Sequence, residues 1–170
     1  MPRNKHPPKK KHANRPRPPA PVPLSAEERA ERAKEEFGKA ITFLKEAELV
    51  AAQGGAPHLV VHGAYFAMEH AARAALFAAG GVGKYLDVPK SHEHVNEHYG
   101  KLVAGLGEPL ESTGRSLNRA LTDRTIADYN LTTRATQASA SELVRAARAM
   151  VDAIQTRWGF KPRSGPRSPS

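Results

Sequence analysis

The sequence predicts an all-α fold, a bundle of four to five helices. Apolar residues recur at three- and four-residue intervals along several stretches of the chain. Glycine pairs interrupt this pattern, and the strict alternation of apolar and polar residues that is typical of half-buried strands is absent. The chain has 170 residues, which is the length of one ordinary domain and too short for two comfortable ones.

The first two predicted helices differ in how much of their surface is apolar. The first begins at Ser25, which forms a capping-box pattern with Glu28, and it runs to Gly54 and Gly55. The second runs from about Pro57 to Gly80 and is apolar nearly all round, so we expect it to be the central, most buried helix. The apolar positions of the first helix are Phe37, Ala40, Ile41, Leu44 and Ala47.

Three further helices are predicted after a loop. The third covers roughly His92 to Leu106, the fourth roughly Ser112 to Tyr129, and the fifth begins near Thr133. The fifth has a single apolar stripe, which consists of Leu143, Ala147, Met150, Val151, Ile154 and Trp158. One such stripe predicts a helix that packs on the bundle with one face.

Basic residues are concentrated at the two ends of the chain. Residues 1–23 contain seven Lys and Arg and residues 157–170 contain four, and neither stretch contains an acidic residue. Both stretches are rich in proline and poor in large apolar residues, so we predict disordered basic tails at 1–24 and 159–170 around a domain at 25–158. Such tails attract nucleic acid or anionic lipid. The alternative is that they only keep the protein in solution.

Composition excludes several classes of protein. There is no cysteine, so disulfides, thiolate zinc sites and a cysteine nucleophile are excluded. The apolar-rich run from Gly54 to Met68 is free of charged residues and 15 residues long, whereas a spanning helix needs about 20. The N-terminal tail has no apolar core of the kind found in secretory signals. We therefore expect a cytoplasmic protein without a membrane span.

Two helices carry charged residues in line with apolar ones. At 100° per residue, Arg124 and Asp128 of the fourth helix fall within about 60° of Leu117 and Leu121, so this pair continues a leucine stripe. A carboxylate in the last turn of a helix is opposed by the macrodipole, and Arg before Asp is the weaker order for a pair. We infer that something beyond helix stability keeps Asp128 in place.

The polar residues of the second helix also form a strip. They lie within about 80° of one another, and two interpretations stay open. The strip is the solvent-facing side of a buried helix, or it faces Arg124 and Asp128 across a cleft. The strip consists of His58, His62, Tyr65, Glu69 and Arg73.

Three motifs together resemble the HEPN family, the nucleotide-binding domains of higher eukaryotes and prokaryotes. They are GAYFAMEHAARAALFAAG, then KSHEHV, then GRSLNRALTDRTIADYN. The resemblance covers about residues 37–155 and is closest to a small bacterial branch with an Arg-x-x-x-Asp-Tyr motif. It implies an up-and-down bundle that forms a homodimer. It also implies metal-independent RNA cleavage by an Arg and a His in active members, many of which are toxins restrained by a nucleotidyltransferase antitoxin.

This chain departs from the family pattern at the catalytic histidine. Arg124 matches the family's arginine, but no histidine follows it, and Asp128 and Tyr129 stand in that stretch. Imidazole suits acid–base work near neutral pH, whereas a carboxylate beside arginine is a poor acid and a weak base. The resemblance thus gives Arg124, Asp128 and Tyr129 as candidate catalytic residues with a degenerate motif.

The histidines offer few substitutes. His58 and His62, like His94 and His98, have the i,i+4 spacing of a zinc site, but no third ligand is identifiable, so we predict neither a metal nor another cofactor. His92 is interpreted as a helix cap or loop contact, and His70 as a packed side chain. His62 is the preferred histidine for the cleft.

Two function classes follow from these residues. The first is a module that binds nucleotide, nucleic acid or a nucleotidyltransferase partner, with candidate ligand-binding residues His62, Tyr65, Glu69 and Arg73. The second is a metal-independent endoribonuclease toxin in which Arg124 stabilises the phosphate charge. A helical adaptor without a ligand is a third alternative, since a fold does not establish a function.

Overall fold

The five predicted helices are present, and the predicted all-α bundle is confirmed. The computed structural model describes residues 23–82, 91–129 and 135–161, except for the side chain of Tyr129. The predicted tails, apart from their innermost residues, lie outside this described part of the chain. All regular elements within it are helices: α1 (Ala26–Ala52), α2 (Pro57–Ala78), α3 (His92–Val103), α4 (Leu110–Tyr129) and α5 (Gln137–Trp158).

Helix α2 is the centre of the bundle, as its apolar surface predicted. It contacts each of the other four helices, and 13 of its 22 residues are buried. Val60, Ala64 and Met68 are among its fully buried side chains. Because α2 is enclosed by its neighbours, a polar side chain on it either finds a partner on another helix or remains unsatisfied.

The ends of the helices follow local signals in the sequence. The backbone N–H of Glu28 donates to Ser25 Oγ at 3.1 Å, and the backbone N–H of Ser25 donates to Glu28 Oε2 at 2.7 Å, so the predicted capping box forms. Helix α3 ends at Val103, three residues before the predicted end. The turn that follows it has Gly105 at φ 84° and Gly107 at φ 78°, a conformation that favours glycine and cannot continue a helix.

The boundaries of α4 and α5 also differ from the prediction. Helix α4 begins at Leu110, two residues earlier than expected. Helix α5 begins at Gln137 and not near Thr133, because Thr136 is its N-cap and accepts a hydrogen bond from the backbone N–H of Ser139 at 3.1 Å. Residues 130–134 lie outside the described part of the chain. The stripe predicted for α5 packs on the core, with Trp158 partly exposed.

Helices α1 and α2 approach each other closely at Gly63. A Cβ atom at this position would lie 3.2 Å from the Cβ of Ala47 on α1, which is tighter than ordinary packing. The close approach fixes the back of α2 against α1. Tyr65 and His62 lie on other faces of α2, about 160° and about 100° away from Gly63, and both contact α4.

None of the helices in the described ranges has both the length and the hydropathy that crossing a membrane requires.

Candidate functional site

Arg124 and Asp128 form an ion pair at the C-terminal end of α4. Arg124 Nε lies 2.8 Å from Asp128 Oδ2, and the two side chains are 18% and 26% exposed. Although the distance is short, the Nε–H is not aligned for a hydrogen bond, and this buried nitrogen has no hydrogen-bond acceptor. The pair is therefore held by charge, and part of the hydrogen-bonding capacity of the guanidinium is unused.

Side chains of α2 line the other side of the pair. The Cζ atom of Arg124 lies 5.7 Å from the ring centroid of Tyr65 and 5.5 Å from that of Phe66, within the range of cation–π contacts. His62 Nδ1 lies 3.7 Å from Asp128 Oδ1, and the His62 side chain is 45% exposed. The polar strip of α2 and the ion pair of α4 thus meet across the space between the two helices.

The interpretation of the strip as a solvent-facing side is wrong for its central residues. Tyr65 is fully buried and Glu69 is 2% exposed, whereas His58 at the start of the strip is exposed. The strip runs from solvent at its N-terminal end into the interior at Glu69, where α3 and α4 cover it.

Glu69 is the best-satisfied acid in the site. Arg73 Nε and Nη2 both donate to Glu69 Oε1, at 3.0 and 2.7 Å. His92 Nδ1 lies 2.8 Å from Glu69 Oε2. The interpretation of His92 as a cap is wrong, because the N-cap of α3 is Ser91 and the ring of His92 reaches across to α2.

Phe66 was not singled out from the sequence, yet its ring is a centre of contacts in the site. Its centroid lies 4.7 Å from that of His62, 5.4 Å from that of Tyr65 and 6.0 Å from that of His92. Together with the guanidinium of Arg124, these side chains surround a partly buried aromatic ring. The signal that could have found Phe66 is its position four residues after His62.

The hydroxyl of Tyr65 is buried without a hydrogen-bond partner. Burial is the main cause that raises its pKa, and the Glu69 carboxylate raises it further, while Arg124 and Arg73 oppose the shift. Tyr65 therefore remains protonated at neutral pH. Tyr99 is equally buried, but its hydroxyl lies 2.7 Å from Thr113 Oγ1. Since buried hydroxyls are normally paired, the unpaired one beside Arg124 marks this position as unusual.

A second histidine–acid pair joins α2 to α1. His70 Nδ1 lies 2.7 Å from Glu36 Oε2, and the ring of His70 stacks on Phe43 with 5.4 Å between the centroids. Burial alone would raise the pKa of Glu36, but the hydrogen bonds from His70 and Lys39 outweigh it and lower the pKa to about 2. His70 is packed, as expected, and it also has this acidic partner.

No group of three or more histidine and acidic side chains in the described ranges could hold a metal ion. His94 is exposed on α3, as His58 is on α2. Tyr129 is the last residue of α4, and its side chain lies outside the described residues.

The model of the HEPN domain family matches residues 26–157. The chain belongs to the HEPN domain family. Membership associates it with nucleotides or RNA, and HEPN domains commonly dimerise and bind RNA. No curated protein matches the chain significantly.

The matched range of this HEPN domain contains the whole site, and the arrangement has a clear chemical character. Arg124 supplies positive charge and hydrogen-bond donors beside the ring of Phe66, which the rings of His62 and His92 also contact. The carboxylates of Asp128 and Glu69 lie next to these groups. Arginine beside an aromatic surface is a combination that binds phosphate and stacks with bases.

Proposed function

We propose that this HEPN domain is a nucleotide- or RNA-binding module, in which Arg124 contacts a phosphate group. One observation carries the proposal. The Arg124 guanidinium lies between α2 and α4 with an unaligned bond to Asp128, and its side chain stays partly exposed. A phosphate offers strong anionic acceptor oxygens, two of which the planar guanidinium can bind at once.

His62, Tyr65, Glu69 and Arg73 have two roles in this proposal. His62 lies at the exposed mouth of the cleft and contacts the ligand with Arg124. Tyr65 supports the guanidinium through its ring, and the Glu69–Arg73 pair fixes the buried end of the strip. Before a ligand binds, Asp128 orients the Arg124 side chain. When the ligand binds, its phosphate replaces Asp128 as the partner of the guanidinium.

The partners proposed for the module follow from the family. We propose that the domain forms a homodimer, as HEPN domains commonly do, and that a nucleotidyltransferase of a toxin–antitoxin system binds it. Light scattering on the full chain at tens of micromolar tests the dimer, and a strict monomer would contradict it.

We expect the basic tails to bind nucleic acid regardless of its nucleotide sequence. Seven cations at the N-terminus and four at the C-terminus predict non-specific affinity for nucleic acid with a steep salt dependence. Deletion of residues 1–23 and 159–170 is expected to remove most of this affinity at low salt. If the trimmed chain binds RNA as tightly as the full chain, the electrostatic contact lies in the bundle instead.

Binding at Arg124 is tested with a matched arginine on the same helix. Arg119 of α4 is mostly exposed and pairs only loosely with Asp123 at 3.7 Å. We expect Arg124→Ala to lower the affinity for a labelled single-stranded RNA by about tenfold at 150 mM salt, the loss of one charge-assisted contact. Arg119→Ala removes the same charge and should have a small effect in the same fluorescence anisotropy assay. Equal losses in both variants would mean that Arg124 contributes only bulk charge.

A metal-independent endoribonuclease is the second candidate. The absence of a histidine after Arg124 argues against it, and the imidazole of His62 beside Asp128 favours it. The two candidates differ in one measurement, the integrity of the RNA after incubation with metal-free protein.

A further inference from the structure

A groove between α1 and the end of α5 lies apart from the site of Arg124. One wall of the groove is a stripe of α1 residues at intervals of three and four, and the other is the last turn of α5 with the residues that follow it. None of the described residues that line the groove contacts Arg124 or Asp128. The residues that determine its shape and apolar surface are Ala30, Phe37, Gly38, Ile41, Trp158 and Phe160.

Aromatic side chains line the groove on the side of α5. Helix α5 ends at Trp158, and the chain turns back at its C-cap, where Gly159 has φ 68°. The ring of Phe160 then stacks on that of Phe37 with 4.5 Å between the centroids. Trp158, Phe160 and Ile41 remain partly exposed. The groove therefore presents apolar surface that the described part of the bundle leaves partly uncovered.

Gly38 leaves the groove open in the middle of α1. A Cβ atom at this position would meet no heavy atom of another element within 4 Å. Glycine weakens the interior of a helix relative to alanine, and neither a turn nor a close contact with another described residue requires it here. Gly38 thus leaves room beside α1 that no described residue fills. A larger side chain at this position can occupy that room without displacing the bundle.

The edges of the groove are positively charged. Six of its described lining residues are Lys or Arg, which we call the basic rim, and two are Glu. Lys34, Lys39 and Arg148 of the rim have acidic partners on the protein. In contrast, Lys45 and Lys161 form no ion pair with any residue in the described ranges. The rim therefore attracts an acidic ligand.

Both ends of the described chain lie at this groove. Ala26 in the first turn of α1 and Lys161, the last described residue, both line it. The sequence before residue 23 contains seven Lys and Arg, the sequence after residue 161 contains two, and neither contains an acid. The positive charge of both tails is thus tethered next to the basic rim.

We propose that the groove between α1 and α5 binds an acidic amphipathic helix of another protein. The apolar side chains of the partner helix, at intervals of three and four residues, lie against Ile41, Trp158 and Phe160. Its Asp and Glu side chains face the basic rim and the tails. The inference concerns a protein partner and a second surface, so it goes beyond the binding of nucleotide or RNA at Arg124 and does not depend on it.

Charge and chemistry favour this occupant over two others. A second copy of the chain, bound symmetrically through the same groove, would bring two pairs of basic tails together, and like charges repel. An RNA strand would find cations on the rim and the tails, but its phosphates gain nothing from the apolar side chain of Ile41. An acidic amphipathic helix complements both the apolar wall and the basic rim.

Peptide selection on the full chain tests the groove. A phage-displayed library of random peptides, each about 16 residues long so that a helix of four turns can form, is selected on the immobilised protein at physiological salt. We expect the enriched peptides to be acidic and to have apolar residues at helical spacing. The most enriched peptide, synthesised with a fluorescent label, should become helical in circular dichroism when it binds the full chain.

Gly38→Gln is the decisive variant. Its side chain fills the open space beside α1, where no atom of the bundle is close enough to be displaced. We expect it to lower the affinity for the selected peptide at least about tenfold in fluorescence anisotropy. Gly100→Gln on α3 is the control, because an added Cβ there also meets no atom within 4 Å. The control should bind the peptide as the original chain does, and thermal unfolding checks that both variants are folded.

Reversal of one charge tests the basic rim. Lys45→Glu on the rim should lower the affinity for the peptide, and the loss should be larger at low salt. Arg145→Glu on α5 is the control, because Arg145 is exposed and does not line the groove. It changes the net charge by the same amount and should have a smaller effect. Equal losses in the two variants would mean that net charge alone attracts the peptide, which would contradict the inference.

The remaining outcomes also decide against the groove as a helix site. If no acidic peptide with helical spacing is enriched, or if the peptide binds Gly38→Gln as tightly as the original chain, the tails alone attract acidic ligands. If Gly38→Gln weakens RNA binding and not peptide binding, the groove belongs to nucleic acid. A smaller oligomer of Gly38→Gln in light scattering would make it a contact between copies. Because Gly38→Gln leaves Arg124 unchanged, these results are independent of the test of binding at Arg124.

Discussion

Two of the arginine–acid pairs at i,i+4 spacing, one on α2 and one on α4, differ in order, burial and hydrogen bonding. On α2, Glu69 precedes Arg73 in the middle of the helix, and both carboxylate oxygens accept hydrogen bonds. On α4, Arg124 precedes Asp128 in the last turn, and Nε of the arginine has no aligned acceptor. The first order suits helix electrostatics, and the second is opposed by it.

From this difference we infer that the two pairs have different roles. A buried carboxylate that is fully hydrogen-bonded holds helices in register, and its removal leaves a buried cation with less compensation. A pair that is partly exposed and poorly aligned contributes little to stability and can exchange its partner for a ligand. We therefore expect the α2 pair to be structural and the α4 pair to be functional.

The largest effect is expected at Glu69, and it tests the structural half of the comparison. Glu69→Gln keeps the volume and removes the negative charge between Arg73 and His92, so it should lower the free energy of unfolding by roughly 3 kcal/mol. Urea denaturation measures the change. Glu97→Gln on α3 is the control, because Glu97 pairs with Lys101 at the surface and should leave stability unchanged. A Glu69 variant as stable as the original chain would remove the distinction between the two pairs.

The second-largest loss of stability is expected at Glu36. This residue extends the comparison to an acid that pairs with a histidine, His70. Its pKa is lowered from 4.5 to about 2, so the ionised form stabilises the fold above about pH 4.5, and this contribution is lost as pH falls towards 2. Glu36→Gln should cost about 2–3 kcal/mol at pH 7. The difference between variant and original chain should shrink between pH 5 and pH 2 in urea titrations. A constant difference across this range would mean that charge at Glu36 is not the cause.

A smaller effect is expected at Asp128, and it tests the functional half. Asp128→Ala should lower the free energy of unfolding by about 1–2 kcal/mol, between the values for exposed and for buried pairs. A loss of 3 kcal/mol or more in urea denaturation would make the pair structural. In that case the double change of Arg124 and Asp128 to apolar residues of similar size should recover much of the stability.

The smallest effect is expected at an ion pair on the surface of the bundle. Arg148 of α5 donates two hydrogen bonds to Glu48 of α1, at 2.9 and 2.6 Å, and both side chains are partly exposed. Glu48→Gln should cost less than about 1 kcal/mol because water screens the pair. If thermal unfolding shows a larger loss than at Asp128, good hydrogen-bond geometry outweighs burial in this bundle.

Most of the fold could be predicted from the sequence because its signals are local. The capping box at Ser25 and the apolar stripe of α5 each depend on residues within a few turns of one helix. The end of α3 was predicted too late because Leu106 continues the apolar spacing, while the glycines on either side of it impose a turn. Local periodicity does not indicate whether the apolar spacing or the glycine turn decides where the helix ends.

The candidate site could be predicted only in part, because its contacts join different helices. The angular spacing placed Tyr65 and Glu69 on one strip and Arg124 and Asp128 on another. The contact of His92 with Glu69 spans 23 residues, and it depends on how α3 is rotated against α2. The spacing of residues within one helix does not predict that rotation. For this reason His92 was interpreted as a cap or a loop contact and not as a member of the site.

The close approach at Gly63 has a consequence for how this domain tolerates mutation. Gly63 is the neighbour of His62 in the chain, and on its other side α2 meets Ala47 with no room for a larger side chain. A valine at either position would have to push α1 and α2 apart, and α2 carries His62, Tyr65 and Phe66 with it. Substitutions at positions that do not contact a ligand can therefore change the shape of the cleft. We expect amino-acid substitutions at Gly63 and Ala47 to be tolerated as poorly as substitutions in the cleft itself.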